Sequence, residues 1–497
     1  MTTAPRCRNG SDACLPHLMS DVTDTFQVGI VVRLNMGLTI FRYTMGTDPL
    51  DPANYVTADL SANATVVAAL LLTDPGNGVD GITVEDGHFM LGIGIDDLGR
   101  VWLAGNIHND PQAVCFSDAA AGVPDFTTWN TLTESAMPWA ASGLNLYTYN
   151  HFDRMSDGRL VWVFSQEDQS DARGRDQLGY YLPLGRTVAN IQAGGTAGWR
   201  PICDTASGTG TWTGVAGSLR GEIGFSTGTV DTINDPPLPG DDAVRCYVNG
   251  IYIERKPAGD RLWVLGHWRT DRRADGAQHP YVVYTDEIGL NTLGSWRNPA
   301  GEVVTMPMSW DNRAETEMAG LPCSRTTGPD TVAVGLDGFP HVVMANGITS
   351  EIDGLPKGVN PNYGGRIRAD WTGGAWTWVN IGSGGATHVV AAGPDRAIYA
   401  VQTAATAIYL VPYGGNVSVS PNGGLPVSPR WQKGGDIIQN ETITVGSSTA
   451  IAADTMKGWF DPVALSTHGR LDLLIPDGDD PRVYSFGANF QAHAENP

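Results

Sequence analysis

The stretch "IGIDDLGRVWLAGN" (residues 93–106) decides how this chain folds. Apolar residues alternate up to Ile95, an Asp-Asp-Leu-Gly turn follows, and a second apolar run starts at Val101. A period of two marks a half-buried strand, and glycine supplies the positive φ that a short hairpin turn demands. The phrase therefore predicts a β-hairpin. It recurs as "FDRMSDGRLVWVFSQ" (152–166), "ERKPAGDRLWVLGHW" (254–268), "VGLDGFPHVVMANG" (334–347), "VAAGPDRAIYAVQ" (390–402) and "ALSTHGRLDLLIP" (464–476). Each copy has an apolar strand, a tight turn, usually an arginine, and a second strand.

These copies are too irregular for a short solenoid and carry no linkers between them. They predict a β-propeller, in which small antiparallel sheets surround an axis and insertions fall in the loops. An array of β-sandwiches is the competing architecture. No stretch sustains the i, i+3, i+4, i+7 pattern of an amphipathic helix. The expected fold class is all-β: a β-propeller of about seven blades, its ring closed by N- and C-terminal strands that share a blade. Residues 1–60, with the run "TFQVGIVVRLNMGLTIFRYT" (25–44), supply N-terminal strands and a possible docking segment; residues 61–497 form one propeller domain. The interval 167–245 holds no copy of the phrase and is expected to hide a blade or a long face loop. A second phrase, in "CFSDAAAGVPDFTTWN" (115–130) and "VYTDEIGLNTLGSWRNPAGE" (283–302), sets a tryptophan after a turn, where an indole fills a blade edge. Trp102, Trp162, Trp263 and Trp268 fall within strands and are expected to be core.

The 497 residues carry 53 acidic and 31 basic side chains, a net charge of −22. Such a field repels nucleic acid and anionic membranes, so neither is an expected partner. The longest apolar run, "ATVVAALLL" (64–72), is too short to cross a bilayer, which excludes membrane insertion by a helix. The opening residues lack the apolar core of a secretory signal peptide. The 6 cysteines contain no C-x-x-C and outline no disulfide framework. His279 and Cys323 have no zinc-ligand spacing around them, so no metal and no cofactor are expected.

The motifs "DGHFMLGIGIDDLGRVWLAGNIH", "YTYNHFDRMSDGRLVWVFSQ", "YIERKPAGDRLWVLGHWR" and "HPYVVYTDE", with "SWRNPAGEVVTMPM", resemble the neuraminidase-type repeat propellers that include the ulvan lyases. The resemblance runs from about Gly87 to Met308. It implies a central face that cleaves uronate-containing polysaccharide by β-elimination. That reaction needs a group to offset the uronate carboxylate, a base for the C5 proton and an acid for the departing oxygen. By resemblance, His88, His108 and Tyr149 are the catalytic candidates, and Tyr252, His267 and Arg269 form a substrate-binding cluster one blade on. One departure stands out. Where the family has an arginine after the tyrosine's hairpin, this chain has Ser165 and Gln166, with Arg173 and Arg175 in the next loop.

That departure sets two functions against each other. A glycan-recognising propeller would keep the sugar-binding face without the full elimination machinery. A polysaccharide lyase would replace the missing arginine from elsewhere. A carboxylate-pair glycoside hydrolase is a weaker third reading, because nothing sets Glu85 or Asp86 across a cleft from a second acid. A histidine beside a strand end is more often structural than functional, which is the bland reading of His88 and His108 taken singly. A chain without an export signal whose resemblance is to proteins acting on outside polysaccharide fits a bacteriophage tail protein that touches bacterial surface glycan. Its expected partners are then that glycan and other virion tail proteins. Export by another route and a cytoplasmic location fit the missing signal as well.

Overall fold

The computed structural model describes residues 18–32, 38–47, 51–70, 91–105, 107, 112–132, 136, 145–168, 175–194, 197–202, 222–224, 245–256, 258–269, 277–286, 288, 296–319, 329–335, 338–345, 366–382, 386–392, 397–404, 407–412, 461–468, 471–474 and 483–486. Their strands pair into antiparallel sheets that follow one another along the chain. β1 (Leu18–Ser20), β2 (Phe26–Val32), β3 (Leu38–Thr44) and β4 (Tyr55–Asp59) make the first. β5 (Leu91–Ile95), β6 (Val101–Gly105), β7 (Val114–Ala120) and β8 (Val123–Thr131) make the second. The third orders β12 (Arg200–Pro201), β11 (Arg175–Leu182), β10 (Leu160–Asp168) and β9 (Asn145–Arg154), with β13 (Glu222–Gly224) also on β11. β14 (Arg245–Glu254), β15 (Arg261–Arg269), β16 (Ala277–Thr285) and β17 (Trp296–Arg297) form the fourth. β18 (Pro329–Val334), β19 (Pro340–Ala345), β20 (Arg366–Trp371) and β21 (Trp376–Gly382) form the fifth. β22 (Ala386–Ala392), β23 (Ala397–Ala404) and β24 (Ala407–Pro412) follow, and then the hairpin of β25 (Leu471–Leu474) and β26 (Val483–Phe486).

The recurring phrase makes these sheets as its residues dictate. In the second sheet Asp96 accepts the backbone N–H groups of Leu98 and Arg100, both at 3.0 Å, and Gly99 turns the chain with φ +81°. The Asp96 side chain also takes Arg100 Nε at 2.7 Å and the Trp102 indole N–H at 2.9 Å. In the third and fourth sheets Trp162 and Trp263 occupy the same step and donate to Asn150 and Glu254. All three indoles are fully buried, as is Trp268. A buried indole N–H without a partner is costly, so Trp102, Trp162 and Trp263 each bring an acceptor into the core with them. In the second phrase, Trp129 and Trp296 are likewise buried, on β8 and β17.

The first strand of each sheet lies against the first strand of the next: β1 on β5, β5 on β9, β9 on β14, β14 on β18 and β18 on β22. Apolar side chains fill the gaps between sheets. Phe152, Trp162 and Phe164 face the second sheet with Trp102 and Trp199, while Val161 and Val163 face the fourth with Val248 and Val264. An all-β fold of several four-stranded antiparallel sheets packed in this way is consistent with the blades of a propeller.

Several sequence expectations resolve differently. The sixth copy of the phrase does not open with a strand: Pro462–His468 is a helix, because Asp461 caps the N–H groups of Val463 (2.9 Å) and Ala464 (3.0 Å). This helix touches β1, β9, β14 and β22. The interval 167–245 contributes outer strands of the third sheet through β11, β12 and β13. Among the described residues the first strands, β1–β4, and the last, β25–β26, pair as two separate sheets. The two are in contact: Leu474 and Val483 pack on Leu18, Val31, Phe41 and Tyr43. The Val483 N–H also donates to the Tyr55 hydroxyl at 3.0 Å.

Candidate functional site

β9 and β14 start at one end of the third and fourth sheets, and β10 and β15 finish there. Each starting strand carries a bulge at that end. Across β9 and β10, Thr148 pairs with Ser165 and His151 with Val163, so Tyr149 and Asn150 face a single residue. Across β14 and β15 the register shifts between Val248 and Gly250, leaving Asn249 as the extra residue. Bulges re-aim side chains; here Tyr149 packs into the core in the gap between the third and fourth sheets, and Asn249 reaches His267. Tyr149 holds φ +57°, a left-handed conformation that is strained for so bulky a residue.

The side chains meet across that gap. The Tyr149 ring lies 5.9 Å from that of Tyr247, which stacks on His267 with centroids 5.0 Å apart and planes within 11°. His267 is buried, and its Nδ1 lies 2.7 Å from Asn249 Oδ1. With that oxygen as acceptor, Nδ1 carries the proton and Nε2 keeps the lone pair in the neutral ring. Behind them the Tyr281 hydroxyl lies 2.7 Å from Gln177 Oε1, 2.9 Å from the Tyr247 carbonyl oxygen and 3.3 Å from Cys246 Sγ. Burial first, and the adjacent Cys246 second, push the Tyr281 hydroxyl well above the usual tyrosine range, so it stays a neutral proton donor.

Several fully buried polar groups at this end find no hydrogen-bond partner among the described residues. They are Ser165 Oγ, both polar atoms of Gln166, and Gln177 Nε2. Such groups are normally satisfied in a native protein, so water or a polar ligand is expected to meet them.

Of the residues expected from sequence, Tyr149 and His267 come together through Tyr247. Tyr252 does not join them. It pairs with Trp263, roughly 16 Å along β14 from Tyr247 at the usual strand rise, and packs on the core shared with the fifth sheet. Arg269 ends β15, its backbone opposite Arg245 and Ala277. Arg175 opens β11, its backbone opposite Glu167. His88 and His108 lie outside the described residues, as do Arg173 and Cys323; the nearest strands to the two histidines, β5 and β6, pair Leu91 with Gly105.

Sequence reasoning passed over Tyr247, Asn249, Gln177 and Tyr281. A signal for the first two was present: "YTYN" (147–150) and "YVNG" (247–250) hold the same place in successive sheets. Among the described residues no three His, Cys, Asp or Glu side chains converge as a metal site requires, and no helix is long and apolar enough to cross a membrane.

No protein-family model and no curated protein matches the chain. Solved structures do. A family 25 polysaccharide lyase, an ulvan lyase bound to -[GlcA(1-4)Rha3S]-, aligns with a TM-score of 0.51 over 82% of this chain and 82% of its own, at 13% identity. A second ulvan lyase structure of that family aligns at 0.50 over 81% of this chain and 82% of its own, at 14% identity. An α-L-arabinofuranosidase of glycoside hydrolase family 93 from Fusarium graminearum, in complex with arabinobiose, aligns at only 0.36, over 79% and 90% of the two chains and at 12% identity. In fold, this chain is therefore similar to the family 25 ulvan lyases.

Proposed function

We propose that the chain is a closed propeller with one blade for each sheet, and that the strand ends around Tyr149, Tyr247 and His267 form a mouth that takes uronate-containing polysaccharide and cleaves it by β-elimination. One observation carries this reading: a strained Tyr149, an oriented His267 and a set of unsatisfied buried amides share one end of two adjacent sheets. A structural core has no use for that combination. The glucuronate in the aligned ulvan lyase complex supports uronate-containing polysaccharide as the substrate class.

In the reaction a base takes the C5 proton, the C5–H electron pair becomes the C4=C5 double bond, and the C4–O bond breaks as an acid protonates the leaving oxygen. His88, His108 and Tyr149 are assigned these proton transfers. The amide N–H groups of Gln166 and Gln177 and the Ser165 hydroxyl are assigned to the uronate carboxylate, where the resemblance implies an arginine. Neutral donors stabilise the developing charge less than a guanidinium does, so turnover is expected to be slow.

Recognition without cleavage is the second reading, favoured by the buried Ser165 itself. An absorbance assay on uronate polysaccharides separates the two. Growth of the unsaturated product, abolished in Tyr149→Phe at unchanged thermal stability, is the expected result. Polymer binding with no absorbance growth would establish recognition alone. The phage-tail setting draws nothing from the fold; mass spectrometry of purified virions tests it.

A further inference from the structure

Outside the cluster around Tyr149, a further pair of polar side chains sits on the fourth sheet. β15 and β16 change register between His267 and Trp268: His267 faces Pro280, Trp268 faces Gln278, and His279 is the residue bulged out between them. His279 holds φ +52°, which with Tyr149 places two of the left-handed non-glycine residues at this end of the sheets. Its Nδ1 lies 2.7 Å from Glu317 Oε1. Glu317 arrives on a segment that extends the sheet: it bridges to Tyr281, and the Met318 N–H donates to the Pro280 carbonyl at 2.8 Å.

The setting is more exposed than the cluster around Tyr149. The His279 and Glu317 side chains are 28% and 29% exposed, against 6% for His267 as a whole residue. Beneath them Trp310 meets the His279 ring edge-on at 5.1 Å and Trp268 at 6.1 Å, and Arg313 covers Trp310 at 3.8 Å. The Trp268 indole N–H is fully buried and has no hydrogen-bond partner among the described residues. A folding role alone does not explain a strained histidine held by a carboxylate at the surface, since an exposed ion pair adds little stability.

We propose that His279 and Glu317 form a sugar subsite that takes the vicinal hydroxyl groups of an uncharged sugar residue. The inference rests on the glycan reading above and extends it from the reacting uronate to a neighbouring unit. With Nδ1 engaged by Glu317, the other imidazole nitrogen exchanges a hydrogen bond with one hydroxyl, and the second carboxylate oxygen accepts from the next. A carboxylate at the contact repels sulfate and uronate groups, which limits the subsite to neutral sugars. Because His279 is adjacent to the position paired with His267, a chain lying across both would present alternating charged and uncharged units.

The test is a nitrogen-15 histidine spectrum of the full chain, with the His279 signals assigned by loss in His279→Asn. Rhamnose and xylose at millimolar concentration are expected to shift those signals, whereas glucuronate and rhamnose 3-sulfate leave them in place. Glu317→Gln, folded by its thermal melt, is expected to lose the shift. His279 signals indifferent to both neutral sugars, or equally responsive to the anionic ones, would overturn the subsite. This readout needs no turnover and no polymer, so it separates from the lyase assay: absent absorbance growth counts against elimination and leaves the subsite to its own spectrum.

Discussion

Glu317 and Tyr149 each owe their physical state to a contact from outside their own segment. The hydrogen bond from His279 is the first cause holding the Glu317 carboxyl below the usual glutamate value of 4.5, against desolvation that raises it. A carboxyl whose folded value lies below its unfolded one contributes stability fully above the unfolded value, and loses it as pH falls through the depressed value. Urea midpoints measured from about pH 6 down to about pH 3 are therefore expected to fall more steeply for the wild type than for Glu317→Gln. Parallel curves would mean that the pair contributes nothing. Tyr149 makes a complementary case. Its identity was legible from the motif, but its left-handed backbone was not, because φ is set by the β9 bulge and nothing in "YTYN" encodes the register opposite it. The resemblance groups Tyr252 with His267 and Arg269, whereas in the structure Tyr247 is the tyrosine paired with and stacked on His267, and Tyr252 pairs with Trp263.

Elements carry a different kind of information. The hairpin phrase could be read because its determinants are local: alternation, a turn aspartate and a glycine at positive φ act within a few residues. The tryptophans of the phrase were legible as core for the same reason, while their acceptors Asp96, Asn150 and Glu254 vary in type and place from sheet to sheet. Close packing at the site end of β15 gives a sharp prediction. A Cβ added at Gly266 would stand 1.9 Å from the Tyr247 carbonyl oxygen and 2.3 Å from the Tyr281 hydroxyl. Gly266→Ala must then displace both, at a cost of about 1–3 kcal/mol by the usual scale of overpacking, and break the contact that seats Tyr247 under His267. Equilibrium urea unfolding measures the loss; a variant as stable as the wild type would show that β15 yields freely.

At the scale of the whole molecule, the first and last described segments are joined by buried polar contacts. Asp461 accepts from Ser20 Oγ and, at 2.8 Å, from Gln27 Nε2, which also donates to Asp472 at 2.7 Å. Arg154 donates to the backbone oxygens of Ser20 and Asp21, and burial, then the nearby Arg255, lowers its pKa to about 10. Asp153 accepts from Arg255 at 3.0 Å and from the Ile253 N–H at 2.9 Å, tying the third sheet to the fourth. Removing Asp461 takes the acceptor from the Ser20 hydroxyl and from the N–H groups of Val463 and Ala464. Asp461→Ala is expected to cost about 1–3 kcal/mol by releasing the helix cap and the contacts to β1 and β2 together. A urea midpoint unchanged by the substitution would show that the C-terminal helix does not help hold the sheets.

The first five copies of the hairpin phrase, and the order in which their sheets follow along the chain, could be read from the amino-acid sequence, because alternation, turn residues and glycines act between residues close to one another. Long-range contact is what brings the strands of 167–245 to the third sheet, sets Asn249 against His267 across the hairpin, and joins Ser20 to Asp461 across 441 positions. These contacts arise from the packing of one sheet on the next, and no local pattern of apolar and polar residues records which distant surfaces will meet.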